Sequence, residues 1–351
     1  MEYKRVAVLI LTYNNKVILE NLLKSIKEKT HYPNYEIFVI DNGGSDGTDE
    51  LIKKQYDWIK LIKIIDNKGF IGGFNEGFKK VEKKYDFYLF LCDDIYILTE
   101  NWLKKLIKEF DINENLGAIF PVEIIPPEFG EACSKEEKFN RINIFLKEQI
   151  NIYENWANTK SQEKIALGHV LEGPCLLIRA EVLKLTGLFE PLLFPAYCED
   201  TDLGLKILRA GYITAKDPNV GIIHFHSVNF SSLLQQFEKR LLLGRNRIIQ
   251  GLLHRKVIDL IRQFWFEFKT FIHDILKLKI NFLLYLKSYV YIVKNLKKIL
   301  QARKFRQLLF KNAKHKEFFI EFRNKNLHKI IFQPPMFDAK KIILCQNKVV
   351  N

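Results

Sequence analysis

The feature that most constrains this chain is an alternation in its N-terminal part. Uninterrupted apolar runs, "RVAVLIL" (5–11), "YEIFVID" (35–41), "IKLIKII" (59–65) and "FYLFLC" (87–92), are separated by amphipathic stretches, "KVILENLLKSIKEK" (16–29), "DGTDELIKKQY" (46–56) and "GFNEGFKKVEKK" (73–84). Runs without polar alternation are strands buried on both faces, and a helix between consecutive strands is the crossover that a parallel sheet requires. The fold class is therefore α/β, a Rossmann-like, mostly parallel sheet with helices on both faces. Ligands of such sheets bind beyond the carboxyl ends of the strands. There the chain places its polar signals: "TYNN" after the first strand, "DNGGSDGT" after the second, "DNKGFIGGFN" after the third and "DD" after the fourth.

Asp93 and Asp94 interrupt an apolar run, "FYLFLCDDIYIL" (87–98). Like charges repel, and burying either without a partner is costly. The pair is either solvated, ahead of the helix "TENWLKKLIKEF", or holds something positive, such as a divalent cation shared with a substrate diphosphate. The glycines of "DNGGSDGT" and "DNKGFIGGFN" permit tight turns and close approach of phosphate or sugar to backbone; the same compositions also make ordinary turns. Glu199 and Asp200 open the helix "EDTDLGLKILRAG" (199–211), where one would serve as a base and where helices commonly carry acids in any case. In "HFHSVN", His224 and His226 fall on opposite faces of a strand; His224 either completes a metal shell or is structural. Residues 121–165 are irregular, with "PVEIIPPEFGEACSKEEK" reading as loop, and "YITAKD" and "VGIIHFH" read as two further short strands.

"VLILTYNN", "IFVIDNGGSDGT", "DNKGFIGGFNEGF", "FLCDDIYI" and "EDTDLGLKILRAG", in this order and at these intervals, resemble family 2 glycosyltransferases, nearest the rhamnosyltransferase-like branch acting on bacterial surface polysaccharides. The resemblance covers residues 5 to about 228. It implies the glycosyltransferase A (GT-A) fold, a nucleotide-sugar donor, a divalent metal (Mn²⁺ or Mg²⁺) and inversion at the anomeric carbon. It also implies that Thr12 and Tyr13 line the nucleotide pocket, that Asp41 meets base or ribose, and that Asn67, Gly72, Gly73 and Asn75 lie near diphosphate and sugar. The acidic pair stands at the family's DxD-type position as "CDD", without the first spaced acid. That makes Asp94 the metal ligand, with His224 beside it, and Asp93 a ribose or second contact. Asp200 stands where the family keeps its base, with Glu199 supporting it or contacting acceptor. The QxxRW motif of processive members is missing from "QQFEKRLLLGRNR", so one sugar per acceptor is expected. The expected donor is UDP- or dTDP-linked ahead of GDP-linked, and the acceptor a saccharide or polyprenyl-linked saccharide.

Charge divides the chain. Residues 1–230 carry 29 Lys+Arg against 34 Asp+Glu, whereas 231–351 carry 26 against 7. The expectation is a GT-A catalytic domain over 1–230 and a basic, aromatic-rich helical region over 231–351. Within the latter, 257–300 interleaves aromatics with Lys and Arg, which suits an anionic membrane surface or helices that close over the catalytic part with a solvated basic face. No apolar run reaches the roughly 18 residues of a spanning helix. With no secretory signal, and an odd five cysteines without CxxC spacing, a cytoplasmic setting is expected, peripheral on the inner face of the membrane. Two rival classes stay open. A nucleic-acid-binding protein would use the basic tail, but no recognised motif accompanies it and no nucleic acid is expected. A sugar-nucleotidyltransferase would share the layered sheet, but "TYNNKV" stands where its Gly-rich loop would be.

Overall fold

The computed structural model describes residues 3–326 apart from 126–134, 160–162, 169–170, 172, 226–232, 256–258, 262–264, 266–267, 270–271 and 273–281. The alternation is realised as β1 (Val6–Thr12), α1 (Lys16–Lys29), β2 (Tyr35–Asn42), α2 (Thr48–Gln55), β3 (Lys60–Ile64), α3 (Gly69–Lys80) and β4 (Phe87–Cys92). Then follow β5 (Ile95–Ile97), α4 (Trp102–Ile112), β6 (Leu116–Ile124), α5 (Lys135–Glu148), α6 (Ile150–Thr159), β7 (Ala166–Leu167), β8 (Cys175–Arg179), α7 (Ala180–Thr186), α8 (Glu199–Arg209) and β9 (Ile213–His224). The basic part supplies α9 (Leu233–His254), α10 (Phe282–Lys294), α11 (Leu296–Asn312) and α12 (Lys316–Asn326).

The strands form one sheet in the order β3-β2-β1-β4-β8-β6-β9-β5, with β7 beside β9. β1 pairs in parallel with β2 and β4, so that Thr12 lies opposite Asp41 and Leu11 opposite Cys92. β8 runs antiparallel between β4 and β6, and brings its first residue, Cys175, opposite Leu91. β6 and β9 are parallel, and Ile95, just past the acidic pair, lies opposite His224 at the end of β9. The carboxyl ends of β1, β2, β4, β6 and β9 therefore share one edge, as a parallel sheet dictates.

Three elements differ from expectation. α3 begins at Gly69, four residues before the expected 73, so that Gly72 lies inside the helix; a Cβ at Gly73 would come within 2.6 Å of Leu11 Cδ1, and its absence lets the helix settle onto β1. The two short strands expected after α8 are one, β9 (Ile213–His224): the ladder with β6 continues through a register shift, with Pro121 opposite Asp217 and Val122 opposite Gly221. The insertion expected as loop carries α5 and α6, whose Phe145, Ile150 and Ala157 bury against Leu98, Ile124, Ile223 and Phe225. Part of that expected loop, 126–134, lies outside the described residues.

One face of the sheet is covered by α1, α2 and α4, through residues such as Leu22, Leu51, Trp102 and Leu106. On the other face, Phe74 of α3, Leu203 and Ile207 of α8 and four residues of the basic helices, Ile249, Leu253, Ile292 and Ile299, share one apolar cluster. At about 1.5–3 kcal/mol for each large aliphatic buried, those four residues alone tie the basic helices firmly to the sheet.

Candidate active site

The site is built from what each strand end leaves exposed to the edge. After β1, Thr12 and Asn15 are buried, and neither Thr12 Oγ1 nor Asn15 Oδ1 has a hydrogen-bond partner among the described residues. Asn15 Nδ2 donates to Asp93 Oδ1 at 3.3 Å, while Asp93 Oδ2 is likewise buried without a partner. Burial, with the adjacent charge of Asp94, pushes the Asp93 carboxyl up to about 7. The Thr12 hydroxyl, Asn15 and the Tyr13 amide all bear on the Asp93 carboxyl, so the ends of β1 and β4 form one buried polar cluster whose hydrogen-bonding geometry is incomplete.

Asp94 Oδ1 lies 3.2 Å from His224 Nε2, and the other ring nitrogen of His224 meets Glu123 Oε1 at the end of β6. Burial works against a charged imidazole, but the two carboxylates outweigh it and lift His224 to about 10. So held, His224 carries a proton on both ring nitrogens, and a divalent cation would take its place beside Asp94 by displacing the proton on Nε2. A carboxylate oxygen and an imidazole nitrogen sit side by side, and the distal ring nitrogen is oriented by a second carboxylate, as in metal-binding histidines. Among the described residues no three His, Cys, Asp or Glu side chains form a metal cage. Asp94 and His224 would therefore share the ion with substrate oxygens, as Mg²⁺-type sites do.

On the other flank, Asp41 is buried at the end of β2, accepts a bond from Gly44 N at 2.9 Å, and is pushed upward by burial. Asp46 shapes the same loop: its oxygens accept from Lys16 N (2.8 Å) and Thr48 N (3.2 Å), tying down the starts of α1 and α2 together. Asn67 Oδ1 accepts from Asn42 Nδ2 (3.0 Å) and Gly69 N (2.8 Å), which folds the turn after β3 back onto the end of β2. Tyr13 lies half-buried just beyond β1. Gly72 approaches the Lys68 side chain. Two expected donor contacts face inward: Gly73 is buried against Leu11, and both polar atoms of Asn75 are engaged by the main chain of Phe189, at 2.9 and 3.2 Å.

The carboxylates of α8 complete the edge. Asp200 accepts from Thr201 N (2.6 Å), Thr201 Oγ1 (3.3 Å) and Gly173 N (3.2 Å). Glu199 is buried and its Oε2 has no partner among the described residues. Burial, then the charge of Asp200, pushes Glu199 up to about 8; burial also raises Asp200, against the pull of its backbone donors. Burial and their mutual charge make these adjacent carboxyls hold a proton more readily than exposed acids do. The two flanks meet at Cys92, whose amide donates to Pro174 O at 2.8 Å. Its thiol is pushed well up, first by burial and then by the charges of Asp94, Asp93, Glu199 and Glu123.

Thr12, Tyr13, Asp41, Asn67, Asp93, Asp94, Glu199, Asp200 and His224 are thus gathered along one edge. Asn15 and Glu123 were missed from the sequence. Asn15 stood inside the quoted "TYNN", whereas Glu123 lay in a stretch read as loop. His226 lies outside the described residues.

The family model described as "Glycosyl transferase family 2" matches residues 7–184, just over half of the 351 residues. The chain belongs to glycosyl transferase family 2. Its curated relatives include a poly-beta-1,6-N-acetyl-D-glucosamine synthase of Staphylococcus epidermidis, 30% identical over 117 residues, 32% of this chain and 27% of that protein. The chain thus matches only about a quarter of the synthase's length. An N-acetylglucosaminyl-diphospho-decaprenol L-rhamnosyltransferase of Mycobacterium tuberculosis is 24% identical over 232 residues, covering 62% of this chain and 75% of that one. Among solved structures, GalNAc-T7 crystallised with UDP, GalNAc and Mn²⁺ superposes with a TM-score of 0.59 at 16% identity, over 95% of this chain and 58% of the other. That likeness carries the fold, and this family 2 chain has the GT-A architecture.

Proposed function

We propose that the protein is an inverting, metal-dependent, non-processive glycosyltransferase. It would move a sugar from a UDP- or dTDP-linked donor to a hydroxyl of a saccharide or polyprenyl-linked saccharide in cell-surface polysaccharide assembly. One observation carries the reading: the buried polar cluster of Thr12, Asn15 and Asp93 adjoins the Asp94–His224 pair at the carboxyl end of β4. A family relative named for rhamnosyl transfer to a decaprenol-linked sugar supports the choice of acceptor class.

Asp94 and His224 would hold the cation, with Glu123 orienting His224. When bound, the ion supplies charge neutralisation for the departing nucleoside diphosphate. Asp41 and the loop shaped by Asn67 receive base, ribose and diphosphate. Asp200, ionised and fixed by Gly173 N–H, takes the proton of the acceptor hydroxyl as its oxygen attacks the anomeric carbon from the face opposite the diphosphate. The neutral carboxyl of Glu199 donates a hydrogen bond to the acceptor. A single carboxylate base suffices because the leaving group is a diphosphate and needs no protonation, unlike the sugar alcohol released by a glycosidase. No helix among the described residues is long and apolar enough to cross a membrane. Contact with a lipid-linked acceptor would instead run through the basic helices.

The test is turnover of UDP-, dTDP- and GDP-linked sugars with Mn²⁺ or Mg²⁺, by wild type and Asp94→Ala. Metal-dependent release of nucleoside diphosphate from one donor, lost in the variant, is the expected result. Consumption of sugar 1-phosphate and nucleoside triphosphate instead would replace this reading with nucleotidyl transfer.

A further inference from the structure

The segment that carries Glu199 and Asp200 is gripped twice by the basic helices. In the loop before α8, Asn246 of α9 is fully buried and directs Nδ2 at the carbonyls of Leu193 (2.7 Å), Ala196 (2.8 Å) and Tyr197 (2.9 Å). Its neighbour Arg245 donates to the Phe194 carbonyl and lies over the Tyr291 ring of α10, 4.4 Å from its centroid. In the first turn of α8, Asp202 has no solvent exposure. Arg306 Nη2 of α11 lies 2.7 Å from both of its oxygens, and His254 Nε2 of α9 lies 2.7 Å from one. Arg306 also reaches Glu190 at 3.0 Å, Lys206 Nζ stands 3.9 Å from Asp202, and Arg209 donates to the His254 carbonyl at 3.0 Å.

Two features say that this grip does more than add stability. First, a buried charge cluster is a poor source of net stability, since well-packed apolar groups usually do as well; what it fixes is geometry. Second, the gripped loop is held in a costly shape. Tyr197 and Cys198, immediately before Glu199, have φ of 78° and 68°, the left-handed region that side-chain-bearing residues avoid. On its far side the same loop touches the donor flank, where Ile71 N of α3 donates to Pro195 O at 3.1 Å.

We propose that Asn246 and the Asp202–His254–Arg306 cluster are positioning residues. They clamp residues 193–202 so that the Glu199–Asp200 pair faces the acceptor hydroxyl. The proposal rests on the glycosyltransferase reading of the site.

Asn246→Ala removes the three carbonyl contacts, and Arg306→Lys keeps the charge while losing the grip on both Asp202 oxygens. Each is compared with wild type by amide hydrogen exchange, by nucleoside-diphosphate affinity with Mn²⁺, and by kcat on the sugar nucleotide that the wild type turns over. Expected for Asn246→Ala are exchange of amides 193–201 faster by at least about tenfold with β1 and β4 unchanged. A kcat lower by at least about tenfold should accompany it, with nucleotide Kd within about twofold. Arg306→Lys should fall between that variant and wild type in both readouts. Unchanged exchange in this segment would overturn the clamp; faster exchange or a lower Tm with unchanged kcat would overturn its positioning role. A wild type that releases no nucleotide from any sugar donor would instead bring down the glycosyltransferase reading, and the proposal with it. Should Asn246→Ala not fold, Asn246→Ser, which keeps a short donor, serves the same test.

Discussion

Asp200 takes three hydrogen bonds from Thr201 and Gly173, whereas Glu199 beside it keeps a buried oxygen without a partner among the described residues. Donors aimed at a carboxylate favour its ionised form, and burial without donors favours the neutral one. The division of labour proposed above rests on this difference: base for Asp200, hydrogen-bond donor for Glu199. Asp200→Asn keeps the size and the local turn, and is expected to lower kcat by about 10²–10⁴-fold while nucleotide affinity holds. Glu199→Gln retains a donor and should cost much less; steady-state kinetics on the donor found by the turnover panel checks both. The acids were legible in the sequence because adjacent carboxylates at the end of an apolar run or at a helix start stand out by type. Asn15 and Glu123 were not, because their meaning comes from partners 78 and 101 residues away, Asp93 and His224. Neither residue type nor local spacing announces such a pairing.

Strands buried on both faces declare themselves at the level of elements, and β1, β2, β3 and β4 lie close to where their apolar runs place them. The start of α3 was hidden because its glycines also read as a loop; only the proximity of Leu11 shows that Gly73 is there for helix–sheet contact. β9 read as two strands because Pro218 interrupts it, and only a neighbouring β6 able to absorb the shift keeps it whole. The acids that open α8 read as ordinary helix punctuation, and for Asp202 that reading was incomplete. Its partners Arg306 and His254 hold it well below the usual carboxylate range although burial alone would raise it. Burial and the nearby guanidinium groups of Arg306 and Arg209 push His254 down to about 3, with Asp202 opposing. The folded state therefore refuses a proton that the unfolded chain accepts near pH 6.5. The stabilisation is complete above that value and is lost as pH falls toward 3, by at most about 1.4 kcal/mol per pH unit for this one proton. Urea denaturation at neutral pH and at about pH 5 should show the loss, and His254→Gln, which does not titrate, should have the flatter profile.

For the molecule as a whole, the charge asymmetry was legible and the way its two parts join was not. Composition separates residues 1–230 from 231–351, yet Ile249, Leu253, Ile292 and Ile299 complete the apolar cluster that covers one face of the sheet. Away from that contact, Leu286, Val290, Val293 and Leu300 are exposed among Lys287, Lys294 and Lys297, and no Asp or Glu occurs between residues 275 and 316. Much of the rest of the basic aromatic stretch, within 257–281, lies outside the described residues. An apolar face rimmed by lysines suits anionic headgroups. The protein is expected to co-sediment with vesicles containing phosphatidylglycerol, to release from them at about 0.5 M salt, and to ignore neutral vesicles. The central claim, that the edge holding Asp93, Asp94 and His224 is a metal-dependent nucleotide site, is met most directly by calorimetric titration of UDP, dTDP and GDP. The titrations are run with and without Mn²⁺, on wild type and Asp94→Ala. The account predicts that one nucleotide binds wild type only with the metal, and binds Asp94→Ala at least about tenfold more weakly. Failure of every nucleotide to bind with metal present would contradict it.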